Sequence, residues 1–148
     1  MGSEMCIRDR LSEGVIPIAN EDDAVSLTMS MFSDNDELAS LIAQMMKADR
    51  LIILTDIDGL YTGHPNDKGS SLVAYVNPEE NLEKYIKDST KKEEEGRGGM
   101  GSKLDHAKQA AVKSIPTFIA NGKIDHTIID IIEGKNVGTK VALEKTEV

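Results

Sequence analysis

Apolar positions along the chain fall into short continuous runs, separated by segments in which they recur every three or four residues. The runs are Val15-Ile-Pro-Ile-Ala19, Leu51-Ile-Ile-Leu54, Leu72–Val76, Pro116-Thr-Phe-Ile-Ala120 and Val137–Leu143. Runs of this length predict buried strands, although Pro17 sits awkwardly inside the first. Between the runs, Leu38, Leu41, Ile42, Met45 and Met46 share one helical face, as do Leu82, Tyr85 and Ile86, and later Ile124, Ile128, Ile131 and Ile132. A further amphipathic helix is expected over Leu104 to Ser114, with Lys103 at its opening. Ser33 or Asp34 can cap the first of these helices, Pro78 suits the first position of the second, and Gly134 can stop the last. Strand and helix alternate throughout, which predicts an α/β sandwich with a mainly parallel sheet. Neither an internal repeat nor an interdomain linker breaks the alternation.

Composition narrows the picture. The 148 residues suit one domain with a continuous core, and 39% hydrophobic with 29% charged residues is the balance of a globular chain. A net charge of −9 argues against a duplex nucleic-acid surface, which is held mainly by Lys and Arg. The few aromatics, without tryptophan, weaken any case for stacking on single strands. The apolar runs are too short to span a membrane. A lone cysteine, Cys6, excludes disulfide frameworks and thiolate metal centres, and the three histidines are scattered. A cytoplasmic compartment, with neither nucleic acid nor membrane as partner, is expected.

Residues 1–10, MGSEMCIRDR, have no apolar period and no signal-peptide core. They resemble a non-native lead, such as translated adapter sequence, and are set apart from the domain expected over residues 11–148.

Candidate chemistry collects at three places. The first is Gly96-Arg97-Gly98-Gly99-Met100-Gly101-Ser102-Lys103. Glycines let backbone N–H groups approach an anion, a following helix adds unpaired N–H groups and the positive end of its dipole, and Lys103 adds a point charge. Gly96 and Gly101 have Walker spacing, but the order Ser102-Lys103 is reversed, so this is not a Walker loop. A flexible solvated loop is the bland alternative. The second place is Asn20-Glu21-Asp22-Asp23, at the carboxyl end of the first run. The third combines Ser33–Asp36 with Thr55-Asp56 at the end of another strand, and helix capping would by itself explain Asp34 and Asp36.

Taken together, PIANEDDAV (17–25), SDNDELASLIA (33–43), LTDIDGLYT (54–62), GRGGMGSK (96–103), FIANGK (118–123) and GKNVGTKV (134–141) resemble the amino acid kinase family over residues 11 to about 141. Within that family the likeness is greatest to the branch that phosphorylates the side-chain carboxylate of L-glutamate with ATP. The resemblance implies a three-layer αβα sandwich around a mostly parallel sheet, here incomplete. It implies glutamate contacts from Asn20, Asp23 and Asn35. Nucleotide contacts would come from Thr55, Asp56, Arg97, Gly98, Gly99, Met100, Gly101, Ser102 and Lys103. It also implies Mg2+ accompanying ATP and a homo-oligomer for the full-length form.

The carry-over is chemically consistent. Glutamate is a dianion with one ammonium group, so Asp23 suits only the α-amino group, whereas Asn20 and Asn35 can donate N–H to a carboxylate without adding charge. Phosphoryl transfer needs positioning and charge neutralisation, which Lys103 and the loop N–H groups would supply. Asp36 would orient Lys103 or a magnesium-bound water. An already ionised acceptor carboxylate needs no general base.

Two further expectations follow from the resemblance. The family's kinase domain has about as much sequence again before Leu11, including a lysine and glycine loop that complete the phosphate site, so this chain by itself should have negligible kinase activity. An incomplete sheet should also leave an open strand edge and apolar surface. Rival readings are an acetylglutamate or carbamate type of kinase and a non-catalytic nucleotide-binding module. A phosphorylated acceptor is disfavoured, because residues 20–35 contain neither Lys nor Arg.

Overall fold

The computed structural model of the chain describes residues 2–20, 35–81 and 99–143. Its elements are α1 (Gly2–Ser12), α2 (Asn35–Met46), β1 (Leu51–Thr55), β2 (Tyr75–Val76), α3 (Met100–Ala111), β3 (Thr117–Asn121), α4 (Thr127–Ile132) and β4 (Thr139–Val141). The expected helix over Leu82, Tyr85 and Ile86 lies outside the described residues, as do Ser33 and Asp34.

The strands form one sheet in the order β1-β3-β4-β2. β1 runs parallel to β3, from Leu51 opposite Thr117 to Thr55 opposite Asn121, and β2 runs parallel to β4. The β3–β4 pair is antiparallel, with Thr117 opposite Val141. The expected α/β class with a mostly parallel sheet is therefore present, with one antiparallel step.

Helices α2 and α3 cover one face of the sheet. Leu104, Ala107, Ala110 and Ala111 of α3 are at most 1% exposed and form a single core with Ala43, Leu51, Ile53, Val76, Ile119 and Val141. Phe118 and Ala120 point to the other face by strand alternation. There the Lys140 ammonium lies 6.0 Å from the Phe118 ring centre, and Ala120, Ala142 and Ile131 of α4 are buried outside that core.

The four described helices end in the same way. A residue in the left-handed region (Gly14, Lys47, Ser114 or Gly134) is followed by an N–H bonded to the carbonyl five residues back. These bonds are Val15 to Arg10, Ala48 to Ala43, Ile115 to Ala110 and Lys135 to Asp130. This motif satisfies carbonyls that the helix leaves open. Lys47 and Ser114 adopt a conformation that favours glycine.

Close backbone approach accounts for two glycines. Gly59 has φ 148°, and a Cβ there would lie 2.7 Å from the Thr139 hydroxyl, while a Cβ on Gly138 (φ 70°) would overlap the Ile119 carbonyl. Thr139, fully buried, stitches the loop after β1 to β4: its Oγ1 accepts from Leu60 N–H at 2.8 Å and donates to the Val73 carbonyl at 2.7 Å.

Several expectations are corrected. Val15–Ala19 is irregular rather than a strand, with Ile16 84% and Ile18 94% exposed. Leu51–Leu54 is not covered on both faces: Leu51 and Ile53 are buried in the core, whereas Leu54, on the opposite face, is 43% exposed, and among the described residues β1 ends the strand order. The Leu72–Val76 run narrows to β2, with Leu72 instead bridging Tyr61 across a small hairpin. The final strand contracts to Thr139–Val141. Helix α3 begins four residues before Leu104, drawing Gly101 and Ser102 into its first turn. On α2 the buried residues are Ser40 and Ala43 rather than the larger apolar ones, because small side chains let α2 and α3 approach closely. Of the isoleucine face, only Ile131 is buried, while Ile124, Ile128 and Ile132 are about half exposed. Apart from these corrections, residues 2–10, set aside as a lead, lie in α1, whose Arg8 donates to the Met45 carbonyl at 3.3 Å.

Candidate functional site

Chain connectivity brings the polar groups to one edge. Helix α2 enters β1 through residues 47–50, and α3 enters β3 through residues 112–116. A twelve-residue helix is about 18 Å long, close to the length of a five-residue strand, so each helix returns along its strand. The starts of α2 and α3 therefore lie at the carboxyl ends of β1 and β3. In open α/β sheets this is the edge where ligands bind.

At that edge Lys103, in the first turns of α3, donates from Nζ to Asp36 Oδ2 in the first turn of α2 at 2.7 Å. Both side chains are 17% exposed, so the pair is mostly sheltered from water. Beneath it, Ser40 Oγ donates to the His106 carbonyl at 3.0 Å and fixes the spacing of the two helices. Asp36 and Glu37 suit the start of α2, where a helix presents positive partial charge. Helix α3 starts after Gly99 (φ −58°, ψ 170°), which makes no side-chain cap hydrogen bond, and the positive end of its dipole faces the same edge.

Beside the helix starts lie the strand ends. Thr55 Oγ1 is 3.4 Å from Asp56 Oδ1. Asn121, closing β3, donates from Nδ2 to Asp58 Oδ1 at 2.9 Å and accepts from Lys123 N–H at 2.9 Å. Tyr61 O–H donates to Asp58 Oδ2 at 3.4 Å. Partial burial, then the Asp58 charge and this hydrogen bond, push the Tyr61 phenol above its ordinary value.

The sequence-derived residues divide accordingly. Asp36 and Lys103 meet directly. Asn35, Gly99, Met100, Gly101 and Ser102 lie in or beside the same two helix starts, and Thr55 and Asp56 share the edge. Asn20 is exposed at the end of the irregular segment. Asp23, Arg97 and Gly98 lie outside the described residues. Asp58 and Asn121 stand in the sequence motifs without an assigned role, although a polar residue closing a buried parallel strand is the signal that singles out Thr55.

Among the described residues, no group of three or more metal-capable side chains gathers, and no helix is long and apolar enough to cross a membrane.

Comparison with known proteins agrees with this geometry. The model of the amino acid kinase family matches residues 3–121. Over 133 residues the chain is 42% identical to a glutamate 5-kinase of Bacteroides thetaiotaomicron, covering 90% of this chain and 36% of that enzyme. Over another 133 it is 44% identical to a delta-1-pyrroline-5-carboxylate synthase of Mesembryanthemum crystallinum, covering 84% of this chain and 18% of that protein. The chain thus spans about a third or less of the curated relatives' length. Among solved structures it resembles a UMP kinase from Bacillus anthracis (TM-score 0.67, 17% identity, 95% of this chain and 51% of that one). It also resembles an isopentenyl phosphate kinase in a substrate complex (TM-score 0.68, 18% identity, 93% and 52%). At such identities the structures support the fold alone. The match over residues 3–121 and the identity to curated relatives settle the family: this chain belongs to the amino acid kinase family.

Proposed function

We propose that the chain carries the nucleotide-binding part of a glutamate 5-kinase, which transfers the γ-phosphoryl group of ATP to the side-chain carboxylate of L-glutamate. The observation that carries this reading is the Lys103–Asp36 pair, held at 2.7 Å where two helix starts meet the carboxyl edge of the sheet. Asp36 fixes the ammonium of Lys103 beside the uncapped start of α3. A phosphoryl group there would meet one positive charge and the positive end of the α3 dipole, held in place beforehand as phosphoryl transfer requires. The acceptor carboxylate is ionised at neutral pH and attacks without a base.

Thr55 and Asp56 would contact the nucleotide away from the transferred group, since a carboxylate close to the phosphates would repel them. Asn35, beside Asp36, would donate to a glutamate carboxylate, with Asn20 and Asp23 completing the acceptor site. The loop residues Arg97 and Gly98 to Ser102 would cradle the phosphates. Mg2+ would come with ATP, held by phosphate oxygens and water, with Asp36 reaching it at most through a water molecule. A cytoplasmic enzyme that self-associates in its full-length form belongs to the same proposal.

A chimaera tests it. Residues 11–143 of this chain would replace the matching segment of the Bacteroides thetaiotaomicron glutamate 5-kinase, with glutamyl phosphate trapped as the hydroxamate. The expected result is glutamate-dependent product that is lost in Lys103→Met. Product with acetylglutamate or carbamate but not with glutamate would overturn the substrate assignment. ATP binding without turnover of any acceptor would favour a nucleotide-binding module.

A further inference from the structure

We infer that Ser40 is a positioning residue for Lys103. It fixes how α2 and α3 stand along each other, and so where the ammonium is held at the carboxyl edge. Only the kinetic consequence rests on the reading of Lys103 as the contact to the transferred phosphoryl group. Ser40 is completely buried, and its Oγ donates to the main-chain carbonyl of His106 at 3.0 Å. A serine inside a helix ordinarily returns its proton to the carbonyl four residues back, here that of Asp36. Ser40 reaches across to the neighbouring helix instead. Gln44 holds it in that role, donating from Nε2 to Ser40 Oγ and to the Ser40 carbonyl, both at 3.2 Å. With Gln44 donating to the hydroxyl, the hydroxyl's own proton is directed to His106.

This bond lies one turn beyond the Lys103–Asp36 pair on both helices. Ser40 follows Asp36 by four residues and His106 follows Lys103 by three, spacings that stack residues on one helix face. Two rungs thus join α2 to α3, about 5 Å apart along the helices.

The rungs differ in stiffness. The outer one depends on a lysine with a flexible stem, and Lys103 must turn from Asp36 towards a phosphate when one arrives. The inner one ties a short side chain to a main-chain carbonyl, so it sets one backbone against the other. Around it, Ala43, Leu104, Ala107 and Ala110 supply apolar contact, which favours burial but is non-directional and fixes no register. Ser40 therefore keeps the two helices in place while Lys103 exchanges Asp36 for its ligand.

Acetylation of lysines in the intact chain, read residue by residue by mass spectrometry, tests the positioning. In Ser40→Ala the rate at Lys103, relative to the exposed Lys113 in the same molecules, should rise about threefold or more, because the pair opens more often. Gln44→Met should act in the same direction, by less. Thr139→Val removes two buried hydrogen bonds beside β4 and should leave the ratio unchanged, whereas a general loosening would raise it in all three variants.

In the chimaeric kinase, Ser40→Ala should lower kcat about tenfold and leave KM for ATP and glutamate within about twofold. The stem of Lys103 still finds bound ATP, and only its placement at the reacting group suffers; a displacement of about 1 Å there costs about a hundredfold. His106→Ala, which keeps the main-chain acceptor, should leave kcat unchanged. An unchanged Lys103 ratio in Ser40→Ala would overturn the inference, as would an equal rise in Thr139→Val, or a raised KM with kcat intact. A chimaera without turnover when Ser40 is in place would count against the kinase reading instead, and the acetylation ratios would still decide the role of Ser40.

Discussion

Replacing Asp36 by asparagine and Lys103 by methionine, singly and together, isolates the pair on which the site is built. At 2.7 Å, and at the effective dielectric of about 20 that suits protein sites, the bare attraction is about 6 kcal/mol. Both groups lose hydration where they sit at 17% exposure, and that loss offsets most of the attraction. The coupling that survives should be about 1–3 kcal/mol. Each single substitution leaves one group without its partner, so each should destabilise by about 2 kcal/mol, or roughly 5–8 °C in Tm for a chain of this size. The double variant should be little worse than either single one. Thermal and urea unfolding of the four proteins gives the coupling directly. ATP affinity gives a second cycle. Lys103→Met should weaken binding by tenfold or more, about 1.4 kcal/mol. Asp36→Asn should weaken it less, and not at all once Lys103 is gone. A stability coupling below about 0.5 kcal/mol, or an equal effect of Asp36→Asn on ATP affinity with and without Lys103, would refute the view that Asp36 acts through Lys103.

Three other substitutions read the scaffold. Thr139→Val strands the Leu60 N–H and the Val73 carbonyl that Oγ1 now satisfies, so it should cost about 2–3 kcal/mol in urea unfolding despite conserving volume. Ser114→Gly relieves a left-handed backbone at φ 63°, and after the extra freedom of the unfolded glycine it should stabilise by roughly 0.5 kcal/mol; Lys47→Gly (φ 51°) should act likewise. Tyr61 holds its proton to higher pH in the folded protein than in the unfolded chain, because burial and the Asp58 carboxylate disfavour the phenolate. Between pH 10 and its raised folded value the native state thus binds more protons, and stability falls as pH rises through that window. Tyr61→Phe should flatten that alkaline decline, as followed by unfolding at pH 9 to 11.

Much of the fold was legible because continuous apolar runs and helical periods mark elements whatever their neighbours. Leu51–Leu54, Pro116–Ala120 and the helix beginning near Asn35 all appear, within a few residues, where periodicity set them. The errors share one cause, which is that burial depends on partners that a local pattern cannot identify. Four isoleucines at helical spacing look like a core face, yet the face of α4 turned to the sheet buries Thr127 and Ile131, and the others stay half exposed. On α2 the eye goes to Leu41 and Met45, whereas contact with α3 selects Ser40 and Ala43, because only small side chains fit between two helices joined by a serine-to-carbonyl bond. β1 was expected to be covered because its sequence is uniformly apolar, but α2 and α3 cover only the face that carries Leu51 and Ile53, and Leu54 is 43% exposed.

The site was legible in its chemistry and much less so in its geometry. Lys103 and Asp36 are 67 positions apart, and neither spacing nor charge pairs them. What pairs them is a repeated rule of connection. Each lies at the start of a twelve-residue helix that turns within a few residues into a parallel strand. Two such units side by side must bring their helix starts to one edge and the ends of their strands to the same edge. Applied consistently, that rule would also have found Asn121, which closes β3 as Thr55 closes β1, and through it Asp58. The glycine loop then takes its meaning from the helix it enters. Because α3 begins at Met100, Ser102 and Lys103 belong to its first turns, and the reversed Walker order turns the lysine towards the neighbouring helix and its carboxylate. A flexible linker would have no reason to end in a lysine held 2.7 Å from a mostly buried aspartate, and that contact is the argument against the bland reading of GRGGMGSK.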